Sequence, residues 1–307
     1  MDYDLIIIGG GPAGTGAGVY AARKRLKTLS ITKEFGGQST VSMDIQNWIG
    51  TVSISGTDLA MNLKNHLEAY KDSILDIKEG EKVTGIEKRE NGFAVTTDKI
   101  TYTGKTVLIA TGSMRRKITV PGAEKFENKG ITYCASCDGP LFSGRDVVVI
   151  GGGNAGFETA AQLLAYTKSV TLLDASETFR ADPITIEKVL QNSKMKALNS
   201  VEILEVKGEA MVTMIVYKDK KTGEHVELPT GGIFVEIGQI PATEFVKGIV
   251  EMDKFGHAII DPWTQKTNVP GIWAAGDCTN VLYHQNNIAC GDAVRAVEDI
   301  YLTLTAK

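Results

Sequence analysis

Two glycine-rich loops, each following a short apolar run, constrain the fold of this chain more than any other feature of its sequence. Residues 9–14 read GGGPAG after the apolar residues 5–8, and residues 151–156 read GGGNAG after the apolar residues 147–150. A strand followed by Gly-x-Gly-x-x-Gly and a helix is the signature of a dinucleotide-binding unit, because the glycines allow a tight turn and a close approach to a pyrophosphate. The free N–H groups and the positive dipole end of the helix then face that anion.

An acidic residue follows each loop at the distance expected for a partner of ribose hydroxyls. Glu34 lies 20 residues after Gly14, and Asp174 lies 18 residues after Gly156. Both distances are near the ~20 residues of known dinucleotide sites. One such loop is a weak signal, whereas two loops that each have a preceding strand and a following acid favour dinucleotide sites over ordinary glycine turns. The sequence therefore predicts an α/β fold with two Rossmann-like dinucleotide-binding domains.

The order of the predicted elements indicates that the second domain is inserted into the first. Residues 83–89 and 93–97 flank Asn91-Gly92, a strong hairpin signal, and the second half repeats this plan with a hairpin-like region at residues 217–227. The last apolar run, residues 272–277, ends at a Gly-Asp turn and does not begin a third copy, so we expect it to return to the first domain. The predicted domains are residues 1–115 with 242–307, and residues 116–241.

Cys134 and Cys137 form a Cys-x-x-Cys pair just upstream of the second glycine loop. No targeting segment is visible and no run approaches the ~18 apolar residues of a membrane span, so we expect a cytoplasmic protein without a membrane partner. Thiols are normally reduced there, and such a pair is more often catalytic or metal-binding than structural. A zinc site would need two more ligands, which the isolated His257 and His284 do not supply, so no metal is expected. The remaining cysteines are interpreted as small buried packing residues: Cys278 and Cys290.

The charge balance argues against a nucleic-acid partner. The formal net charge is −4 over 307 residues. The basic runs at residues 23–25 and 115–117 are short, which is typical of solvated helix faces or loops.

Seven short motifs, in order and at nearly the family's spacing, carry a resemblance to a known family. They are G-x-G-x-x-G at residues 9–14, GGQ at 36–38, NW-x-G at 47–50, ATG at 110–112, CASCDG at 134–139, FRA at 179–181 and AAGD at 274–277. On these motifs the chain resembles the low-molecular-weight thioredoxin reductases over essentially its whole length. The CASCDG motif also occurs in the flavoprotein subunit of alkyl hydroperoxide reductase, which carries an extra N-terminal thioredoxin-like segment that we expect to be absent here.

The resemblance implies that FAD binds in the first domain. Glu34 and the glycine loop would lie on its pyrophosphate and adenosine side, and Asp277 would bond the ribitol chain. Gln285 and a helix that starts near Gly291 would approach the pyrimidine edge of the flavin, where a helix N-terminus stabilises reduced anionic flavin. The implied FAD residues are Gly9, Gly11, Pro12, Ala13, Gly14, Glu34, Gly37, Gln38, Asn47, Ala110, Thr111, Gly112, Gly276, Asp277 and Gln285.

The resemblance also implies a nicotinamide nucleotide in the second domain. Most family members carry a His-Arg-Arg run after the second strand of this domain and prefer NADPH, but residues 174–176 of this chain read DAS. A carboxylate at Asp174 can accept hydrogen bonds from a free 2′-hydroxyl and would repel a 2′-phosphate. We therefore predict that NADH is the better donor, although Arg180 could still meet a phosphate. The implied nicotinamide-nucleotide residues are Gly151, Gly153, Asn154, Ala155, Gly156, Asp174 and Arg180.

The chemistry implied by the resemblance is hydride transfer to the flavin, electron transfer to a Cys134–Cys137 disulfide, and thiol–disulfide exchange with thioredoxin or a thioredoxin-like protein. Cys137 would lie closer to the flavin and form the charge-transfer thiolate, and Cys134 would attack the partner's disulfide. Asp138 would protonate the departing thiolate, the alternative being a simple turn residue. For Gln38 and Asn47, ordinary loop polarity is as good an explanation as flavin contact. Members of the family rotate one domain against the other and are homodimers.

Three other functions stay open at this point. The partner could be a peroxiredoxin or a glutaredoxin-like protein. The electron donor could be ferredoxin, because some related reductases have lost the nicotinamide site. Here the intact second loop argues against that loss and the missing arginines argue for it. His284 stands where the family commonly has arginine. A flavin-binding redox sensor without turnover is the third alternative, and the dithiol argues against it.

Overall fold

The computed structural model describes residues 2–42, 45–71 and 74–306, and the chain divides into two compact units. The first unit comprises Met1–Val41, Trp48–Met114 and Ile240–Lys307, and the second comprises Ser42–Asn47 and Arg115–Gln239. Most of the second unit is therefore a single stretch of chain between two parts of the first.

In chain order, the strands are β1 (Tyr3–Ile8), β2 (Thr28–Thr32), β3 (Leu75–Glu79), β4 (Val83–Arg89), β5 (Gly92–Thr97), β6 (Thr101–Ile109), β7 (Ser113–Arg115), β8 (Ile131–Thr132), β9 (Asp146–Ile150), β10 (Ser169–Leu173), β11 (Met195–Leu198), β12 (Val201–Gly208), β13 (Val212–Asp219), β14 (His225–Pro229), β15 (Gly232–Val235), β16 (Gln239–Pro241) and β17 (Ile272–Ala274). The α-helices are α1 (Pro12–Arg23), α2 (Gly56–Glu68), α3 (Ala135–Asp138), α4 (Asn154–Leu163), α5 (Pro183–Leu190) and α6 (Asn286–Thr305), and short 3₁₀ turns cover Gly37–Val41, Gly139–Phe142 and Glu244–Val246. No helix in the described ranges combines the length and the apolar character that a membrane crossing needs.

The first unit is built on a sheet with the order β3-β2-β1-β6-β5-β4, in which β17 also pairs with β6. Strand β6 pairs with β5 and with β17 along different parts of its length. Its first half pairs antiparallel with β5, and its last three residues pair parallel with β17. Leu5 to Ile8 of β1 are buried on both faces of the sheet, which is typical of parallel strands covered on both sides. Alanine-rich α1 and α6 pack on one face, where a Cβ on Gly16 would lie 2.7 Å from the Cys290 Sγ.

The second unit has a five-stranded sheet with the order β11-β10-β9-β15-β8, and every pair in it is parallel. Strands β12, β13 and β14 form a separate antiparallel sheet. Apolar side chains fill both faces of the parallel sheet, with Phe157 and Phe234 fully buried on one side and Ile215 and Ile233 on the other. Strand β9 lies in the middle, between β10 and β15.

The predicted α/β fold with two Rossmann-like domains is confirmed. Two strand predictions agree with the structure, and one predicted helix boundary differs from it. The hairpin around Asn91-Gly92 is formed by β4 and β5, and the run at residues 272–277 does return to β6. The last helix, expected to start near Gly291, begins at Asn286, because Gln285 has the extended backbone of an N-cap with φ −148°. This earlier start adds more than one turn to the helix.

Candidate active site

The first glycine loop closes tightly at its ends and leaves space at its centre. A Cβ on Gly9, whose φ is +127°, would overlap the Ala110 carbonyl, and a Cβ on Gly14 would overlap the Gly9 carbonyl. A Cβ on Gly11 would meet nothing closer than the Gly37 Cα at 4.0 Å. Gly9 and Gly14 are thus needed by the turn and the start of α1, whereas the space at Gly11 is available to a bound group.

A cavity of about 440 Å³ opens beside this loop, at the carboxyl ends of β1, β2 and β6. Its size falls within the usual ~300–1,000 Å³ of small-molecule sites. The sequence-predicted FAD residues that line it are Gly9, Gly11, Pro12, Ala13, Glu34, Gly37, Gln38, Ala110, Thr111, Gly112 and Asp277. The loop and the start of α1 therefore present a glycine cradle, a helix N-terminus and an acidic side chain to one space, and these groups fit the pyrophosphate and ribose of a dinucleotide.

Four predicted FAD residues do not line this cavity. Gly14 lies beneath the loop against Gly9, and Gly276, whose φ is +75°, packs under its turn with Ala13 and Ala289 nearby. Gln285 caps α6 immediately before Asn286, which does line the cavity. The fourth, Asn47, belongs to the short segment grouped with the second unit.

Several residues that line the cavity were missed in the sequence. The Ser39 hydroxyl donates a hydrogen bond of 3.1 Å to the Asn286 Oδ1, joining two segments that are 247 residues apart. Glu81 is buried at the edge, where its carboxylate accepts hydrogen bonds from Thr97 (3.0 Å) and Tyr102 (3.1 Å). Burial and the hydrogen bond to Glu81 raise the pKa of Tyr102 to about 12, so this phenol stays a donor. Ser39 directly follows the predicted Gln38, but no local pattern marks Glu81.

A matched pair of glycine substitutions tests the assignment of the first loop. The backbone of Gly11, with φ −77° and ψ −172°, suits any residue, so we expect Gly11→Ala to fold normally and to bind FAD roughly tenfold or more weakly, because the Cβ occupies the cradle. Gly14→Ala should instead fail to fold stably. Urea unfolding and flavin retention on a desalting column separate the two effects. Full FAD binding by Gly11→Ala would contradict the assignment.

The second glycine loop repeats the geometry of the first. Gly151, with φ +124°, sits against the Glu236 carbonyl, and Gly156 sits against the Gly151 carbonyl, as Gly9 and Gly14 do in their own unit. A Cβ on Gly153 would meet nothing within 4 Å. Asn154 and Ala155, both exposed, begin α4 at this point. This loop therefore has the same free space and the same helix N-terminus for a second dinucleotide.

Asp174 lies directly after β10, beside the second loop. Its side chain accepts hydrogen bonds from the Gly152 N–H (3.0 Å) and the Ser176 N–H (3.3 Å), and the residue is only 5% exposed. The Arg180 N–H donates to the Gly152 carbonyl at 2.8 Å, while its side chain is exposed. The carboxylate is thus fixed against the loop, and Ala175 and Ser176 occupy the positions where the family's arginines would stand.

Cys134 and Cys137 are joined in a disulfide with their Cα atoms 5.3 Å apart, as the resemblance implied. The pair brackets the first residues of α3, where the Cys137 N–H points to the Cys134 Sγ at 3.2 Å. Both cysteines are half-buried. Asp138 follows directly, its carboxylate accepts a hydrogen bond from the Thr132 hydroxyl, and its N–H donates to the Cys134 carbonyl at 3.0 Å. The disulfide and a held carboxyl group therefore occupy one turn of the second unit.

Glu236, the first residue after β15, is a buried acid that directly follows the apolar residues 233–235. Its side chain is 8% exposed, accepts a hydrogen bond from the Thr159 hydroxyl at 2.9 Å, and lies 3.5 Å from the Arg115 guanidinium. Burial raises the pKa of Glu236 to about 7, against the opposing effects of Arg115 and Thr159, and Glu158 adds to the increase. This residue stands directly beside the second glycine loop.

The two remaining cysteines differ in burial, and two of the histidines lie near each other. Cys278 is fully buried, its thiol lies 3.3 Å from the Ala275 carbonyl, and burial raises its pKa to about 11, in agreement with a packing residue. Cys290 is only half-buried, which is less than predicted, but its Sγ packs closely against Gly16 of α1, as expected of a packing residue. His257 and His284 are not isolated, since their rings are 6.1 Å apart. Among the described residues no group of three or more His, Cys, Asp or Glu side chains could hold a metal ion.

The chain is similar to known proteins both in sequence and in structure. The family described as "Pyridine nucleotide-disulphide oxidoreductase" matches residues 3–295. The structure is similar to that of a thioredoxin reductase from Streptococcus pyogenes, with a TM-score of 0.90, 34% sequence identity and coverage of 99% of both chains.

The curated relatives carry two different names. An "NADH dehydrogenase" of Bacillus subtilis is 36% identical over 294 residues, which are 96% of this chain and 57% of that protein. A protein of Xanthomonas campestris, named as a subunit of alkyl hydroperoxide reductase, is 39% identical over 304 residues, which are 96% of this chain and 56% of that protein. The chain thus spans little more than half the length of these relatives.

Proposed function

Because the chain belongs to the pyridine nucleotide-disulphide oxidoreductase family, we propose that it reduces the disulfide of a thioredoxin-like protein with electrons from NADH. The observation that carries this proposal is the Cys134–Cys137 disulfide in a unit that also holds a dinucleotide loop. Bound FAD would accept a hydride from the nicotinamide and pass two electrons to this disulfide. Gly11 and the start of α1 would hold its pyrophosphate, Glu34 its ribose, and Asp277 its ribitol chain.

The dithiol would act by two successive exchanges. The Cys134 thiolate attacks one sulfur of the partner's disulfide, so that the partner's S–S bond breaks and a mixed disulfide forms. The Cys137 thiolate then attacks the Cys134 Sγ, which restores the Cys134–Cys137 disulfide and releases the partner as a dithiol. Asp138, which directly follows Cys137 and accepts a hydrogen bond from the Thr132 hydroxyl of β8, would supply the proton to the partner sulfur that departs in the first exchange.

An isosteric substitution distinguishes a proton-donating role of Asp138 from a purely structural role in the turn. Asp138→Asn keeps an oxygen for the Thr132 hydroxyl and cannot supply a proton. We expect partner reduction to fall roughly 100-fold, the usual scale of lost general acid catalysis, with flavin reduction by NADH unchanged. Stopped-flow measurement of the two half-reactions distinguishes them. Equal partner reduction in Asp138→Asn would leave only the turn role.

The proposed electron donor and partner rest on different observations. Asp174 beside the second loop supports NADH, and so does the name of the Bacillus subtilis relative. The thioredoxin reductase structures support a thioredoxin-like partner, whereas the relatives named as alkyl hydroperoxide reductase subunits support a peroxiredoxin as the second candidate. The homodimer and the cytoplasmic location stay predictions of the resemblance. Light scattering should give twice the chain mass of 33.0 kDa if the dimer forms.

One assay tests the function and compares the partners. The FAD-loaded protein is mixed with NADH and with either a thioredoxin disulfide or an oxidised peroxiredoxin, and NADH consumption is followed by its near-ultraviolet absorbance. Consumption with thioredoxin alone supports the proposal, and consumption with the peroxiredoxin alone makes the second candidate the function. Consumption with neither, although NADH bleaches the flavin, would reject both partners.

A further inference from the structure

The strand order of the second unit indicates where a bound nicotinamide ring would lie. The loop that follows β9 would hold the pyrophosphate, and Asp174 at the end of β10 would hold the adenosine ribose on one side of it. The dinucleotide would then extend to the other side of β9, across the carboxyl end of β15, which pairs with β9. The first side chain after β15 is Glu236.

The position of Glu236 is fixed by its backbone. Its N–H donates to the Ile150 carbonyl at 2.7 Å, and its own carbonyl packs against Gly151 of the loop. The backbone is therefore fixed beside the loop, and the hydrogen bond from the Thr159 hydroxyl (2.9 Å) holds the side chain there.

The carboxyl group of Glu236 is only partly neutralised. One hydroxyl, from Thr159 of α4, and one cation, Arg115 of β7, face it, and the guanidinium is 3.5 Å away and 28% exposed. A second acid, Glu158 of α4, adds an unfavourable charge from the exposed side. These contacts leave the pKa of Glu236 at about 7, because burial outweighs them. Near neutral pH this group therefore responds to one additional charge.

Binding of the oxidised or the reduced nucleotide supplies such a difference. The nicotinamide ring of NAD⁺ carries one positive charge and that of NADH carries none, while the phosphate and ribose groups of the two are the same. We propose that Glu236 senses the charge of the nicotinamide ring, giving up its proton when NAD⁺ binds and keeping it when NADH binds. This inference rests on the proposed nicotinamide site.

The sign of the pH dependence follows from linkage. A nearby positive ring lowers the pKa of a carboxyl group, so NAD⁺ binds more tightly as the pH rises through the pKa of the free protein, about 7. Binding releases a proton only in that window, because Glu236 is protonated in both states well below it and ionised in both states well above it. Binding of a neutral ring should show no such dependence. Product release would thus be faster on the acidic side of neutrality.

Isothermal titration calorimetry of the oxidised FAD-loaded protein tests the proposal without turnover. NAD⁺ is compared with 1,4,5,6-tetrahydro-NAD, which has a neutral ring and cannot donate a hydride, at about pH 7 in two buffers of different ionisation enthalpy. If the ring lowers the pKa by about one unit, NAD⁺ should release roughly 0.4 proton more than the analogue per molecule bound.

Two substitutions assign the proton to Glu236. Glu236→Gln keeps the acceptor for Thr159, and it should remove the difference in proton release and weaken NAD⁺ roughly tenfold at about pH 8.5, with the analogue unchanged. Arg115→Gln removes the opposing cation and should move the release of the proton to higher pH. A merely structural role would alter the affinity for both ligands alike.

Two results would overturn the inference and leave the nicotinamide site standing: equal proton release by both ligands, or a difference that survives in Glu236→Gln. Failure of both ligands to bind would instead remove the proposed nicotinamide site, and this inference with it.

Discussion

Replacing Cys134 by serine is expected to abolish reduction of the partner's disulfide, by at least ~1,000-fold, and to leave reduction of the flavin by NADH intact. A serine hydroxyl is not ionised near neutral pH and cannot attack a disulfide as the thiolate does. The disulfide of the wild-type protein is half-buried and is the only cysteine pair joined within the described ranges. Partner reduction is followed as NADH consumption, and flavin reduction as the loss of its absorbance without oxygen.

The companion change, Cys137→Ser, should give a different outcome. Cys134 still attacks the partner, but no second thiol resolves the mixed disulfide, so a one-to-one covalent complex should accumulate. This complex is visible on a non-reducing gel and disappears with dithiothreitol. Cys290→Ser is the matched control, because it also removes a half-buried thiol but lies in α6 of the other unit. If the Cys134→Ser variant instead reduced the partner at the wild-type rate, the dithiol would have no part in the mechanism.

The predicted features that the structure shows are those with a local pattern. The glycine loops, the strands before them and the Cys-x-x-Cys pair each lie within a few residues of sequence, and sterics alone require Gly9 and Gly14 there. Ser39 and Asn286 meet across the whole fold, so no local pattern marks their contact.

Glu236 was missed for a different physical reason. An acid in an apolar run is ordinarily read as an exposed break in a strand, whereas here Thr159 and Arg115, from two other elements, allow it to be buried. Such compensation is a property of the assembled unit and not of the strand. The early start of α6 has a similar origin, since the extended backbone at Gln285 sets it and no strong N-cap residue type does.

NADH is expected to be preferred over NADPH by roughly 100-fold in kcat/KM. The Asp174 carboxylate is held against the loop by Gly152 and Ser176, so it cannot easily turn away from a 2′-phosphate with close to two negative charges. A factor of roughly 100 needs only about 2.7 kcal/mol, which a like-charge contact at a partly buried site can supply. Anaerobic loss of flavin absorbance after mixing with each nucleotide measures the preference directly.

The exposed neighbours of Asp174 allow the preference to be shifted without disturbing the loop. Ala175 is exposed and Ser176 partly so, and changing both to arginine places two cations at the 2′-position while Asp174 keeps its contact with Gly152. We expect this double variant to gain NADPH activity about tenfold or more, and Asp174→Asn to gain less, because it removes repulsion without adding attraction.

The possible results for the wild-type protein separate the explanations. Comparable rates with both nucleotides would mean that Arg180 or another group binds the phosphate despite Asp174, and the specificity proposal would be wrong. If neither nucleotide bleached the flavin while dithionite did, the second glycine loop would not form a working nicotinamide site. The open space at Gly153 and the hydrogen bond from the Gly152 N–H that fixes Asp174 argue against that result. If neither nucleotide reduced the flavin, a ferredoxin-type donor would become the leading hypothesis, and the proposed dithiol chemistry would be unchanged.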